Sequence, residues 1–125
     1  MPQPSDFELA ILRVLWRLTQ GTVRQIFEEL LKERQLGYTT VLKTMQIMVE
    51  KGLLLRDESE RSHVYRAAVR EDETQADMLR DLLAKAFGGS ARKLVMAALR
   101  EAPLAAGEEA EIRSLLEQAR KERTR

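Results

Sequence analysis

A mainly α-helical fold is predicted, with three helices closing on a small β-hairpin and more helices after it. Three observations predict it. Apolar residues recur at helical spacing in three successive stretches before residue 52. The period then shortens to that of strands over two short runs with a polar turn between them. Beyond residue 70 the helical spacing returns, broken only at glycines and a proline.

The first helix is signalled by Ser5 ahead of Asp6-Phe7-Glu8, a Ser-x-x-Glu box that satisfies two unpaired amides at a helix start. Phe7, Ile11, Val14, Leu15 and Leu18 follow on one face, widened by Leu12 and Trp16, and Thr19-Gln20-Gly21 ends the run. Thr22 opens a second helix with Gln25 in the matching position. Val23, Ile26, Phe27, Leu30 and Leu31 form its stripe. Gln35-Leu36-Gly37 breaks the pattern. A third helix is expected from Thr39 or Thr40 to about Lys51, with Gly52 as its cap and Val41, Leu42, Met45, Met48 and Val49 inward.

Leu53–Arg56 and His63–Ala67 read as two strands around the polar turn from Asp57 to Ser62. Three helices followed by a hairpin is the order of a winged helix-turn-helix, with the hairpin as the wing. The acidic start Glu71-Asp72-Glu73 favours a fourth helix. It carries Ala76, Leu79, Leu83 and Ala86, flanked by Met78, Leu82 and Phe87, and Gly88-Gly89 stops it. Ser90 caps a short helix bearing Leu94, Val95, Ala98 and Leu99, and Pro103 interrupts again. A last helix from about Gly107 presents Ile112, Leu115, Leu116 and Ala119 and is expected to fray into Arg120-Lys121-Glu122-Arg123-Thr124-Arg125.

The chain has 125 residues, 44% of them apolar and 33% charged, a globular balance and not a disordered one. It contains no cysteine, which removes disulfides, thiolate metal sites and a cysteine nucleophile. The opening MPQPSDFE lacks the build of a secretion signal, and no apolar run reaches bilayer length, so a cytoplasmic protein with no membrane partner is expected. Net charge is +1, a faint footprint for nucleic acid. Eleven basic residues stand against nine acidic ones up to Arg70, and ten against eleven after it. The division expected is a DNA-binding domain over 1–70 and a helical dimerisation domain over 71–125.

Taking the inward residues from the third helix leaves Thr39, Thr40, Lys43, Thr44, Gln46, Ile47 and Glu50 toward solvent. Hydroxyl side chains at a helix N-terminus suit phosphate and base-edge contacts, because the amides there already favour anions. Lys43 can reach a guanine edge or a phosphate, and Gln46 can pair with adenine. An ordinary solvated face has the same composition. In the wing, Arg61 and Arg56 are candidate DNA contacts and Arg66 lies beside them. Asp57, Glu58 and Glu60 would repel phosphate, and a charged hairpin tip also serves to blunt a sheet edge.

His63, the single histidine, has no partner for zinc and no nucleophile to serve, so it reads as structural or solvated. Glu28-Glu29 and Glu108-Glu109 read as solvating or capping groups, and Trp16 and the five methionines as core packing. No enzyme, metal or cofactor is indicated. Leu79, Leu83, Leu94, Leu115 and Leu116 make more apolar face than 55 residues can bury alone, which predicts a second copy as partner.

Tyr38-Thr39-Thr40-Val41-Leu42-Lys43-Thr44-Met45, followed by Glu50-Lys51-Gly52-Leu53-Leu54, resembles the recognition-helix signature of the penicillinase repressor family, the BlaI/MecI/CopY-type regulators. Phe7-Glu8-Leu9-Ala10-Ile11-Leu12-Arg13-Val14-Leu15-Trp16 is similar to that family's first helix. Leu104-Ala105-Ala106-Gly107-Glu108-Glu109, with Ile112, Leu115 and Leu116, is similar to its last dimerisation helix. The resemblance implies a homodimer that represses transcription by binding double-stranded, palindromic operator DNA. Thr39, Thr40 and Lys43 would face the DNA, with Arg61 in the wing.

There are departures from the family pattern. Many members carry Arg where this chain has Ile47, which means either a lost charge contact or an apolar contact to a thymine methyl. The copper-responsive branch uses a cysteine-rich C-terminus that this chain lacks. The branch relieved by a sensor protease is cut in the dimerisation region, at an Asn-Phe bond in its best-known members; Met96-Ala97-Ala98-Leu99 offers no such pair, which leaves a sensor protease as a possible partner that the sequence does not support. A rival reading is a winged helix used only for protein interaction, without direct DNA readout; the near-zero net charge is its best support.

Overall fold

The computed structural model describes residues 3–124. Met1, Pro2 and Arg125, and with them the first of the five methionines and the last residue of the basic tail, lie outside the described residues. The order is α1 (Asp6–Leu18), α2 (Val23–Leu31), α3 (Tyr38–Glu50), β1 (Leu54–Asp57), β2 (Val64–Ala67), α4 (Glu71–Phe87), α5 (Ala91–Glu101) and α6 (Glu108–Arg123). This is a mainly α, winged helix-turn-helix arrangement with a small hairpin. Its contacts divide it into two units, Met1–Arg80 and Asp81–Arg125.

Both capping boxes form. The Ser5 hydroxyl accepts from the Glu8 amide while the Glu8 carboxylate accepts from the Ser5 amide. Thr22 and Gln25 repeat the exchange at the start of α2. Helix α3 begins at Tyr38, one to two residues earlier than the sequence suggests. Its N-cap is Gly37, which makes no side-chain capping bond and so leaves no capping box to read. At the other end Gly52 has φ +82°. Its amide bonds the Val49 carbonyl, and the Leu53 amide bonds the Met48 carbonyl. That double closure needs a left-handed residue at Gly52, and it seats Leu53 beside Met48, both buried. Leu53 is therefore spent on the helix end, and β1 starts at Leu54.

The hairpin pairs antiparallel from Leu54 opposite Ala67 to Asp57 opposite Val64. A third segment joins it: Gly21 exchanges both backbone hydrogen bonds with Tyr65, at 3.0 and 2.8 Å. The α1–α2 connection is thus stitched to the sheet. The core of the first unit runs through Ile11, Leu12 and Leu15 of α1, Ile26 and Leu30 of α2, Val41, Met45 and Met48 of α3, and Leu53, Leu54 and Tyr65. Trp16 packs against it, half-buried, and its indole N–H donates to the Val69 carbonyl at 3.0 Å.

Several expectations fail at the edges. Leu18 and Leu31 end their helices exposed, each on the last turn and beyond the reach of the core. Met96 is also exposed, so not every methionine is core. Helix α6 does not fray at Arg120 but continues to Arg123. Ion pairs from Arg113 to Glu109 and Arg120 to Glu117 support it, and its last turn is basic, as the helix dipole favours. In the second unit no described residue is buried.

Candidate nucleic-acid interface

Helix α3 is held at both ends. At its start, the Tyr38 ring stands edge-on to Phe27 of α2, centroids 5.7 Å apart, and the Arg24 guanidinium lies 4.7 Å above the Tyr38 ring. At its end, Lys51 Nζ donates to Glu8 Oε2 at 2.9 Å, tying α3 to the first turn of α1. Glu8 is only 5% exposed. Burial pushes its carboxyl toward neutrality. The Lys51 hydrogen bond and charge and the Ser5 donors outweigh that, leaving its pKa below the usual 4.5.

Fixed in this way, α3 buries Val41, Met45 and Met48 and half-buries Leu42 and Val49, as their spacing implied. Thr39, Thr40, Lys43, Gln46, Ile47 and Glu50 are exposed. Thr44 is half-buried, and its hydroxyl donates to the Thr40 carbonyl at 2.8 Å. Its proton is therefore engaged with the backbone, leaving the oxygen only as an acceptor.

The wing places its arginines unequally. Arg56 is turned onto Glu58, Nε to Oε1 at 2.9 Å, which neutralises both. Asp57 accepts from the Ser59 amide at 2.9 Å, and this bond chiefly, with Arg66 adding to it, lowers its pKa. Arg61 has no ion-pair partner among the described residues, and the same holds for Lys43 and Arg24. Arg61 and His63 share a cleft of about 260 Å³ with Arg24, Tyr38 and Leu42. The cleft lies between the starts of α2 and α3 and the hairpin. His63 is exposed there.

The structure thus brings Arg61 to the N-terminal half of α3, whereas Arg56 is already paired. Sequence reasoning missed Arg24 and Tyr38. The available signal was an Arg one turn before Phe27, with an aromatic opening the next helix. Three cations without a carboxylate partner among the described residues, of which Arg24 is held against Tyr38, offer donors suited to an array of anionic oxygens. No group of three acidic, His or Cys side chains that could hold a metal ion occurs among the described residues. No described helix is long and apolar enough to cross a membrane.

The five leucines singled out in the second half lie on three helices. Leu79 is exposed and Leu83 half-buried on α4, and Leu94 is half-buried on α5. Leu115 and Leu116 on α6 are 63% and 65% exposed.

Comparison with known proteins gives the family of the chain. Residues 4–118 match the family model described as penicillinase repressor. A transcriptional regulator BlaI of Mycobacterium tuberculosis is 36% identical over 92 residues, 73% of this chain and 67% of the relative. A penicillinase repressor of Bacillus licheniformis is 24% identical over 118 residues, 94% of this chain and 92% of the relative.

Proposed function

This chain belongs to the penicillinase repressor family, a family of transcriptional regulators and not of enzymes, and from that premise we propose that it represses transcription as a homodimer bound to a palindromic DNA operator. Residues 1–70 form the DNA-binding part in this reading and residues 71–125 the pairing part, in the cytoplasm. The observation that carries it is the cationic rim around α3. Arg24 and Arg61 share the cleft at the start of α3 with Tyr38 and Leu42, Lys43 follows on the same helix, and none of the three cations is engaged by a carboxylate among the described residues.

In this reading the face of α3 enters the major groove. Thr39 and Thr40 meet the backbone at the helix start, and Lys43 and Gln46 reach base edges. Thr44 contributes only as an acceptor. Arg24, held against the Tyr38 ring, clamps a phosphate, and Arg61 meets the backbone from the wing. Arg56 must release Glu58 before it can contribute, so it ranks below Arg61. The absence of any buried side chain in the described part of Asp81–Arg125 supports pairing through that segment, because three helices without a core need a partner to cover Leu83, Leu94, Leu115 and Leu116. Leu79 continues that row one turn before Leu83. A sensor protease gains no support: Met96–Leu99 lies inside helix α5, where a scissile bond is not extended.

The test is DNA affinity across salt. With about four phosphates neutralised per subunit, log K against log salt should fall with a slope near about −7. Replacing Arg24, Lys43 or Arg61 by Ala should weaken binding. For a phosphate contact the slope should flatten by about one to two, since each change acts twice per dimer. Tight duplex binding that all three substitutions leave untouched refutes the proposed face. Absence of any saturable duplex binding favours a protein-interaction module instead.

A further inference from the structure

We propose that Ile47 reads the 5-methyl group of a thymine, making this residue a determinant of operator sequence. The inference rests on the DNA-binding reading of α3 and goes beyond it by naming the base. Apart from Tyr38 at the helix start, Ile47 is the exposed large apolar residue of α3, at 47%. A single exposed isoleucine is ordinary on a protein surface. Its neighbours set this one apart. Lys43 and Thr44 lie one turn before it, Gln46 beside it and Glu50 one turn after.

These neighbours specify which part of a duplex can lie against Ile47. The Glu50 carboxylate has no ion-pair partner among the described residues and repels phosphate, so this turn sits over base edges and not over the backbone. The Thr44 hydroxyl, the polar group three residues before Ile47, is turned back onto the Thr40 carbonyl and has no proton to donate to an edge. In the major groove the apolar group that base edges present is the thymine methyl. A β-branched side chain in a helix is held in one strongly preferred χ1 rotamer, so Ile47 offers a fixed surface at little entropic cost.

The experiment first selects a consensus duplex from a random 30-base-pair library with the full-length protein. Each thymine of the consensus is then replaced by uracil, symmetrically in both half-sites, which deletes the methyl and leaves every hydrogen-bonding group. At one position the wild type should lose about fourfold per half-site, about fifteenfold for the symmetric pair, the value of one buried methyl. Ile47→Ala should start weaker and lose nothing more at that position, while Ile47→Val retains part of the discrimination. Circular dichroism of Ile47→Ala checks that the half-exposed site leaves the fold intact. A wild type indifferent to uracil at every position, or an Ile47→Ala variant that loses as much as wild type, overturns the inference while DNA binding stands. If no consensus emerges and no duplex is bound, the operator reading fails first and the inference goes with it.

Discussion

Replacing Lys51 by Met should destabilise this protein more than its surface position suggests, and the loss should depend on pH. The Glu8 carboxylate is buried, with Oε1 held by the Ser5 amide and Oε2 by Lys51 Nζ. Deleting the ammonium strands a charged oxygen that water barely reaches. A hydrogen bond to a charged group contributes about 1.5–3 kcal/mol. The low end applies because Lys51 is itself 53% exposed and screened. About 1.5 kcal/mol at pH 7 corresponds to a fall in Tm of about 5–10 °C.

Glu8→Gln should cost less. Glutamine still serves the capping box, and the ammonium left behind returns to water. The sign with pH follows from the lowered pKa of Glu8 in the folded state. Its contribution is complete above the ordinary value of 4.5 and is lost as pH falls through the folded value. In Lys51→Met only the Ser5 donors still oppose burial, so the Glu8 pKa lies higher than in the wild type, that variant protonates first, and the gap to wild type narrows as the pH falls into the carboxylate range. Urea unfolding followed by circular dichroism at pH 7, 5 and 4 measures both effects. Equal stability of Lys51→Met and wild type at pH 7, or a gap that stays constant with pH, would refute the reasoning.

Two further outcomes are expected. Leu115→Asp with Leu116→Asp should sediment as a monomer and lose operator affinity; if α6 is solvated in the native assembly, the pair should instead be neutral within about 0.5 kcal/mol, and a wild type monomeric at tens of micromolar would equally refute pairing there. Thr19 has φ 78°, a conformation costly for a β-branched residue, so Thr19→Gly should raise unfolding stability by about 1 kcal/mol, and no gain in denaturant midpoint would refute the strain.

The first unit was legible because its signals are local. Two capping boxes, three stripes at helical spacing and a glycine after the third helix sit within a few residues of what they determine. The Gly21–Tyr65 bridge was not legible, since one bridged pair has no period. The Lys51–Glu8 contact joins residues 43 apart, and no pattern along the chain couples them. Arg24 escaped notice for a related reason. Its place beside α3 depends on how α2 stacks on Tyr38, which is a packing result. The exposed face of α3 could be read because its complement, Val41, Met45 and Met48, was unambiguous. Thr44, expected toward solvent, is half-buried and bonded to Thr40, because a side chain that bonds its own helix looks the same in sequence as one that does not.

The closure at Gly52 and Leu53 has a consequence for how regulators of this kind diversify. Every group that fixes the end of α3 and leads into the hairpin, from Met48 through Leu53, is either inward-facing or backbone, apart from Lys51. The outward positions Thr39, Lys43, Gln46 and Ile47 carry no core duty, and exchanging residues at such exposed sites changes stability by about 0.5 kcal/mol or less. On the DNA-binding reading proposed above, a duplicated copy can therefore drift to a new set of targets one side chain at a time, through intermediates that all fold. A graft of α3 that stops short of Leu53 severs the backbone closure at its end, and one that leaves out Glu8, Arg24 and Phe27 loses the contacts that hold the helix from α1 and α2.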